Sequence, residues 1–406
     1  MKISEELAWR GFVQQTTCKD LTYLDNKKIV FFHGFDASAP SQTVGNLASM
    51  MMDLVFIRHG HKAIILAGGA TSLIGDPGGK DTERPMQSVK DIETNVKNAK
   101  KQIAKIYGKH SFKLVNNVDW IKKINLIEFL RDTGKFFNVG ELIKRDYIAT
   151  RIGEGGNGIS FTEFSYTLIQ GYDYLHLYDK YNVTLQLGGS DQWANCLSGV
   201  DLIRKKRNAE THVITLPLII NKATGKKFGK SEAGGVWLDE KKTSVFDFYQ
   251  FWLNTDDESS KDYVKIFTEV EKLEYDALVM TADRDPSKRL TQKYLAYAVT
   301  TLVHGKKSAD EAKAQAEKMF SGDFSHIPEN QIFTVHSEYI IGNEIKLIEF
   351  VTDKKIIESK GKFRELLSSK GLCIDGTILE GTSFTKTKSE HIFQIGKKRF
   401  YKFIFV

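Results

Sequence analysis

Cysteine is scarce in this chain of 406 residues, and long apolar runs, internal repeats and low-complexity segments are missing from it. The three cysteines, Cys18, Cys196 and Cys373, are too scattered for a C-x-x-C metal pair or a disulfide framework, which indicates a reducing compartment. No run of about 18 apolar residues occurs, so we expect no membrane-spanning helix. The first ten residues include acids and lack an Arg- and Ser-rich presequence, so we expect no targeting peptide and a cytoplasmic location.

Positive charge is modest overall but unevenly distributed. The formal net charge is +7, and residues 343–406 carry 13 Lys/Arg against 8 Asp/Glu, a net of +5 that leaves +2 for the rest. A small basic tail on a near-neutral body predicts a polyanionic partner, with RNA or DNA foremost.

A loop rich in lysine and glycine carries the most informative motif, Lys227-Phe228-Gly229-Lys230-Ser231. Its two lysines could bring mobile ammonium groups onto a polyphosphate. Alone the pentapeptide is a weak signal, because lysine runs are usually solvated surface. It gains weight from a second candidate phosphate-binding segment near the N-terminus.

That second segment spans residues 32–46, between an apolar run that predicts a buried strand and a pattern that predicts a helix opening near Gly45. Unpaired N–H groups at a helix N-terminus after a Gly/Ser/Pro turn form an anion site. An ordinary strand–loop–helix connection would give the same pattern. The lysine loop favours the nucleotide-binding interpretation.

Short apolar runs alternate with longer helical patterns in the first half of the chain. This alternation predicts an α/β fold with a Rossmann-like, doubly wound parallel sheet, whose ligands bind beyond the carboxyl ends of the strands. Glycine-rich segments at 68–72 and 188–191 follow two of these runs directly and so fall on that edge. The predicted strands are residues 29–32, 63–67, 112–115, 183–187 and 212–216.

The length allows two or three domains. We expect a catalytic domain at 1–218, a linker with the lysine loop at 219–243 and an α-helical domain at 244–320. A second linker at 321–337 precedes a small basic α+β domain at 338–406, in which Asp375-Gly376 predicts a hairpin turn.

A polar stripe marks the predicted helix at 161–179. Tyr166, Gln170 and Asp173 lie at i, i+4 and i+7, and such a stripe can hold a small polar ligand lengthwise. A solvent-facing polar edge is the alternative interpretation.

Ordered motifs along essentially the whole chain resemble those of bacterial-type tyrosyl-tRNA synthetases, which are class I aminoacyl-tRNA synthetases. The resemblance implies activation of tyrosine with ATP, release of pyrophosphate and transfer of tyrosine to the 3′ end of tRNA(Tyr). It also implies Mg²⁺ carried with ATP, a homodimer, and a helical domain and basic tail that bind tRNA. The matching segments are Trp9-Arg10-Gly11, Gly34-Phe35-Asp36, residues 68–71 with 74–77, 159–166, 188–193, 227–231 and 254–257.

Carried over position by position, the resemblance implies two groups of site residues. In the amino-acid half, Asp173 meets the phenolic hydroxyl, and the ammonium and carboxylate regions are lined by Asp76, Tyr166, Gln170, Asp36 and Gln192. In the nucleotide half, Gly34 and Asp191 face the ribose and Gly45 allows close approach of the adenine. Four cations then stabilise the leaving pyrophosphate, namely Lys80, Arg84, Lys227 and Lys230.

Two departures from the family pattern bear on chemistry. The usual H-x-G-H reads Thr43-Val44-Gly45-Asn46, so both imidazoles are missing. Thr43 and Asn46 can still donate hydrogen bonds, and Ser38 stands where the family places a hydroxyl for the γ-phosphate. We expect a weakened or rearranged nucleotide site that still functions.

The second departure is Phe32, where the family commonly has a tyrosine that binds the substrate phenol. A site built around a hydroxyl rejects the analogue without it, and tyrosyl-tRNA synthetases are the standard example. We therefore expect weaker discrimination against phenylalanine. Drift compensated by neighbouring residues, or a pocket for a modified tyrosine, are the alternatives.

Two rival functions remain at this point. The sister tryptophan-activating enzymes share the fold and lysine loop, but Asp173 with Tyr166 and Gln170 favours tyrosine. A non-catalytic RNA-binding relative would explain the missing histidines, but the retained cations argue against it.

Overall fold

The computed structural model describes residues 1–78, 87–220, 230–231, 234–320, 327, 331–396 and 399–405. These residues form two compact units, Met1–Lys306 and Lys307–Val406. The five segments expected from the sequence stay predictions, because this division does not test them. No helix in the described ranges is long and apolar enough to cross a membrane.

A six-stranded sheet organises the first unit, in the order β1-β6-β5-β2-β3-β4. All neighbours among β2 to β6 run parallel, and β1 adds an antiparallel edge. The five predicted strands and the doubly wound α/β sheet are confirmed, whereas the two-residue β1 was not predicted. The strands are β1 Gln15–Thr16, β2 Val30–Phe35, β3 Lys62–Ala67, β4 Lys113–Asn116, β5 Val183–Gly189 and β6 His212–Leu216.

Helices surround this sheet, and a further helical group follows it in the chain. The first unit contains α1 Ile3–Arg10, α2 Tyr23–Asn26, α3 Val44–Arg58, α4 Thr71–Ile74, α5 Val89–Tyr107, α6 Val118–Ile121, α7 Leu126–Asp132, α8 Val139–Leu142, α9 Asp146–Ile152, α10 Phe161–Tyr181, α11 Trp193–Arg207, α12 Val245–Leu253, α13 Asp257–Phe267, α14 Lys272–Arg284 and α15 Leu290–His304. The predicted helices that open near Gly45 and cover 161–179 are α3 and α10. The next helix, α16, spans Lys306–Phe320.

The direction of winding reverses between β2 and β5. The chain proceeds from β2 to β3 and β4 on one side of the sheet, whereas β5 and β6 lie on the other. A crevice therefore opens at the carboxyl ends of β2 and β5, where doubly wound folds bind their ligands.

Successive side chains of β2 point to opposite faces of the sheet, as the strand period requires. Phe32 packs against Tyr174 of α10 with ring centroids 5.0 Å apart. His33 instead bonds Asp53 of α3 on the other face. The two halves of the crevice are thus lined from α10 and from α3.

The helices α12 to α15 belong to the same compact unit as the sheet. Arg10 of α1 fixes this packing, because its buried guanidinium donates to the carbonyl oxygens of Thr268 at 2.8 Å and Val270 at 2.9 Å. The buried ring of Trp252 packs against Phe267 within the helical group.

The second unit contains an α+β arrangement, as expected for the C-terminal part of the chain. It is built on a five-stranded sheet with the order β13-β12-β15-β16-β9 and a smaller sheet with the order β10-β11-β14. Its core is formed by buried Phe350, Phe363, Phe393 and Phe403. The elements are β9 Ile332–Val335, β10 Ile340–Ile341, β11 Glu344–Ile345, α17 Leu347–Asp353, α18 Lys360–Ser368, β12 Leu372–Ile374, β13 Thr377–Ile378, β14 Phe384–Thr385, β15 Glu390–Ile395 and β16 Arg399–Phe405.

The predicted Asp-Gly hairpin is confirmed. Ile374 pairs with Thr377, and the two turn residues have φ of 48° (Asp375) and 81° (Gly376), as a two-residue hairpin loop requires. The Asp375 carboxylate also accepts a 2.7 Å bond from His391 Nδ1, which joins this turn to β15.

Candidate active site

A fully buried carboxylate lies at the centre of the amino-acid half. Asp173 of α10 is 2% exposed, and its two oxygens accept bonds from Trp120 Nε1 at 2.8 Å and Asn117 Nδ2 at 2.9 Å. Burial raises the pKa of Asp173 to about 7, although these two donors counteract the rise. The carboxylate therefore titrates near neutral pH.

Asn117 joins this carboxylate to the glycine-rich turn after β3. Its Oδ1 accepts from the Ala70 backbone N–H at 2.7 Å, and its Nδ2 also reaches Thr71 Oγ1 at 3.3 Å. Thr71 Oγ1 in turn donates to Asp36 at 2.8 Å. The ends of β2, β3 and β4 are thereby linked to α10.

The second carboxylate, Asp36, meets the helical stripe directly. Tyr166 OH donates to Asp36 Oδ2 at 3.0 Å, and burial together with the Asp36 charge raises the Tyr166 pKa well above its usual value. Gly68 allows this arrangement, because a Cβ at that position would lie 2.3 Å from both Asp36 Oδ1 and Thr71 Oγ1.

The third carboxylate, Asp76, brings together α11 and the loop after α4. Gln192 Nε2 donates to Asp76 Oδ2 at 2.7 Å, and Asn195 Nδ2 donates to Asp76 Oδ1 at 3.4 Å and to Gln192 Oε1 at 3.2 Å. Gln170 completes the stripe with a buried Oε1 that has no partner among the described residues. An unpaired buried acceptor is suited to a ligand that donates hydrogen bonds, such as an ammonium group.

Phe32 borders this half without contributing a polar atom. It is 1% exposed and belongs to the same apolar cluster as Trp120 and Tyr174. Asp173, which the resemblance implies as the partner of the substrate hydroxyl, is buried.

The nucleotide half opens at the N-terminus of α3. Thr43 donates to Asn46 Oδ1 from both its backbone N–H (3.0 Å) and its hydroxyl (2.9 Å). The two residues that replace the family histidines thus bind each other and cap the helix. Gly45 between them is exposed.

The base of the lysine loop lies against this helix end. The Val44 N–H donates to the Val236 carbonyl at 3.0 Å, and the Leu238 N–H donates to the Gln42 carbonyl at 2.9 Å. The loop itself is described only as the short pairing of β7 Lys230–Ser231 with β8 Gly234–Gly235.

The remaining predicted residues fall into two groups. Gly34 lies at the carboxyl end of β2, Asp191 follows β5 and is exposed, and the Ser38 carbonyl accepts from Gln87 Nε2 at 2.6 Å. Lys80, Arg84 and Lys227 lie outside the described residues, and Lys230 is described only as part of β7.

Sequence reasoning missed the donors that hold the carboxylates, Asn117, Trp120, Thr71 and Asn195. Asn117 had a usable signal, because it follows β4 directly and so lies on the same sheet edge as the glycine-rich turns. Across the described ranges, no three His, Cys, Asp or Glu side chains are grouped so that they could hold a metal ion.

Comparisons with known proteins agree with this geometry. The family described as tRNA synthetases class I (W and Y) matches residues 24–321. A tyrosine--tRNA ligase of Limosilactobacillus fermentum is 40% identical over 395 residues, covering 94% of this chain and 93% of the relative. One from Geobacillus kaustophilus is 39% identical over 419 aligned positions, covering 99% of both chains.

Solved structures show the same relationship. A C-terminally truncated mitochondrial tyrosyl-tRNA synthetase of Aspergillus nidulans superposes with a TM-score of 0.71 at 29% identity, covering 78% of this chain and 94% of that one. The corresponding truncated Coccidioides posadasii enzyme gives 0.68 at 30% identity, covering 78% and 92%.

Fold, site and family match together define a class I aminoacyl-tRNA synthetase of the tryptophan and tyrosine group. Within that group, the near-complete alignment with bacterial enzymes is decisive, and the chain belongs to the bacterial tyrosine--tRNA ligase family. The resemblance predicted from the motifs is confirmed.

Proposed function

We propose that the crevice between α10 and α3 activates tyrosine with ATP and that the chain then esterifies tRNA(Tyr). The single observation that carries this is the set of three carboxylates at the crevice, Asp36, Asp76 and Asp173, each held by donors of the same chain. Tyr166, Gln170 and Gln192 complete the pocket that holds the substrate ammonium and carboxylate.

In the chemical step, the tyrosine carboxylate attacks the α-phosphorus of ATP in line and expels pyrophosphate. The resulting adenylate is then transferred to the tRNA 3′ hydroxyl. Catalysis comes from positioning and from cations at the leaving group, which Lys80, Arg84, Lys227 and Lys230 supply. Mg²⁺ arrives with ATP as part of the substrate.

Amino-acid-dependent ATP–pyrophosphate exchange tests this function. We expect exchange that depends on tyrosine, with a weaker signal from phenylalanine and none from tryptophan. Exchange driven best by tryptophan would overturn the substrate assignment. No exchange with any of the three, in a folded protein that binds ATP, would favour the non-catalytic RNA-binding relative.

The titration of Asp173 gives the amino-acid pocket a characteristic pH dependence. Only the ionised carboxylate can accept the substrate hydroxyl while it also accepts from Asn117 and Trp120. With a pKa of about 7, the ionised fraction, and so the affinity for tyrosine, rises about tenfold between pH 6 and 8. Equilibrium dialysis measures the affinity for L-tyrosine at each pH, and L-phenylalanine, which has no hydroxyl, is the control ligand.

The variant Trp120→Phe sharpens this test. It removes a donor that stabilises the carboxylate, so the Asp173 pKa rises and the gain in tyrosine affinity moves to higher pH. An affinity that does not change between pH 6 and 8, or an unmoved midpoint in the variant, would contradict the role given to Asp173.

Phe32 sets how well the pocket distinguishes tyrosine from phenylalanine. Phe32→Tyr adds a second partner for the substrate hydroxyl, and one neutral hydrogen bond of about 1 kcal/mol predicts a tyrosine-to-phenylalanine ratio of kcat/KM raised by roughly fivefold. Phe32→Leu, which adds no polar atom, is the matched control and should leave the ratio low. The same ratio in wild type and Phe32→Tyr would show that neighbouring residues compensate.

The homodimer implied by the family is supported by exposed apolar side chains on α7, α8, α9 and the start of α10. Leu126, Ile127 and Phe161 are 68%, 69% and 76% exposed. We propose that a second copy of the chain covers these side chains.

The second unit supplies tRNA affinity. Lys362, Arg364, Lys370, Lys386 and Lys388 are the candidate phosphate contacts in this unit. Lys362 and Lys388 are already paired with Glu365 at 2.7 Å and Asp375 at 3.0 Å, which weakens their contribution. The free cysteines Cys18, Cys196 and Cys373 and a tRNA partner support the proposed cytoplasmic location.

Removal of residues 321–406 separates tyrosine activation from tRNA charging. Because the crevice residues all belong to Met1–Lys306, we expect tyrosine-dependent exchange within about twofold of the full chain. Charging of tRNA should fall by roughly 100-fold or more at 0.15 M salt, since phosphate contacts dominate the affinity. Loss of both activities would assign the tail a structural role, and intact charging would exclude it from tRNA binding.

A further inference from the structure

A hydrogen-bond network joins the start of α9 to the Asp76 carboxylate. Arg145 Nη1 donates to Thr167 Oγ1 at 3.2 Å, and the Thr167 hydroxyl donates to Asn195 Oδ1 at 2.7 Å. Asn195 Nδ2 then donates to Asp76 Oδ1 at 3.4 Å and to Gln192 Oε1 at 3.2 Å. Arg145 and Thr167 have no part in the site described above, yet this network connects them to two of its residues.

The middle of this network is excluded from water. Thr167 and Asn195 are 1% and 2% exposed, and Asp76 is 6% exposed. Thr167 lies on α10 and Asn195 on α11, and these helices pack so closely that a Cβ at Gly199 would lie 2.7 Å from Tyr174 Cβ. A buried polar group without a partner is costly, so each side chain in the network depends on the next one.

The guanidinium of Arg145 sets the direction of these hydrogen bonds. A guanidinium has donors only, so the Thr167 oxygen accepts from it and the Thr167 hydroxyl proton is donated to Asn195 Oδ1. The Asn195 amide is thereby held with its NH₂ group towards Asp76. In the opposite orientation the amide oxygen would face a carboxylate oxygen, and two acceptors would meet with no proton between them.

Arg145 also joins the two helices that carry the amino-acid half of the crevice. Its Nη2 donates to Ser198 Oγ of α11 at 2.7 Å, while Nη1 bonds Thr167 of α10. The polar stripe lies on α10, and α11 begins directly after Gln192. One half-buried guanidinium therefore holds the stripe and the start of α11 in a fixed relation.

We propose that Arg145 and Thr167 are positioning residues, which act through Asn195 to hold Asp76 where it binds the ammonium group of tyrosine. This role rests on the proposed function, because that function places the ammonium group at Asp76. An ammonium group is bound well only by acceptor oxygens in fixed positions, and donors behind a carboxylate fix its oxygens. Arg145 and Thr167 thus contribute to substrate affinity without a substrate contact of their own.

Equilibrium dialysis without ATP or tRNA tests this role with three ligands. L-Tyrosine carries both an ammonium and a carboxylate group, tyramine carries only the ammonium, and para-hydroxyphenylpropionate carries only the carboxylate. Thr167→Val preserves the side-chain volume and removes the hydroxyl. It should weaken the binding of tyrosine and tyramine by roughly three- to tenfold, the range for one lost neutral hydrogen bond, and leave the propionate within about twofold of wild type.

Three further variants separate positioning from a merely structural role. Thr167→Ser retains the hydroxyl and should restore all three affinities to within about twofold of wild type. Arg145→Met removes the donors at the other end of the network and should give the same selective loss as Thr167→Val. Thr300→Val is the matched control and should change none of the affinities. Thr300 is also fully buried in a helix, α15, but its hydroxyl has no hydrogen-bond partner among the described residues.

The outcomes separate this role from the proposed function. Wild-type protein that does not bind tyrosine would refute the function, and this role with it. Wild type that binds tyrosine, together with an equal loss for all three ligands in Thr167→Val or no loss in Arg145→Met, would overturn the positioning role alone. If Thr167→Val fails to fold by circular dichroism, Arg145→Met decides, because Arg145 is only half-buried.

Discussion

The buried carboxylate of Asp173 is the interaction on which the rest of the crevice depends. Removing an ionised group from water costs several kcal/mol, and only donors fixed around it make the site tolerable. Those donors are Trp120 and Asn117, and Asn117 also binds the Ala70 N–H and Thr71. The same contacts that stabilise the charge therefore position the loop that holds Asp36.

The two faces of β2 contribute different parts of the site. On the α10 face, Phe32 and the carboxylate network form a pocket with open hydrogen-bonding capacity at Gln170. On the α3 face, the Thr43–Asn46 cap lies at the helix N-terminus, where the nucleotide is expected. In the proposed function, a single strand at the reversal of the sheet brings the reacting carboxylate and the triphosphate to one edge.

Local patterns in the sequence predicted the elements that short-range interactions determine. The five strands, the α10 stripe and the Asp375-Gly376 hairpin follow from residue periodicity and turn chemistry within short windows. The partners of Asp173 lie 53 and 56 residues away, and His33 meets Asp53 across 20 residues. Such pairs are created by tertiary packing and leave no periodic pattern in the sequence. The sequence therefore predicted the site side chains but not the residues that hold them in place.

A crystal structure with L-tyrosine and a non-hydrolysable ATP analogue tests the central claim most directly. We expect the phenolic oxygen within hydrogen-bonding distance of Asp173 and the ammonium group among Asp76, Tyr166 and Gln170. The nucleotide should lie at the N-terminus of α3. Tyrosine bound in the reverse orientation, or bound away from Asp173, would contradict it.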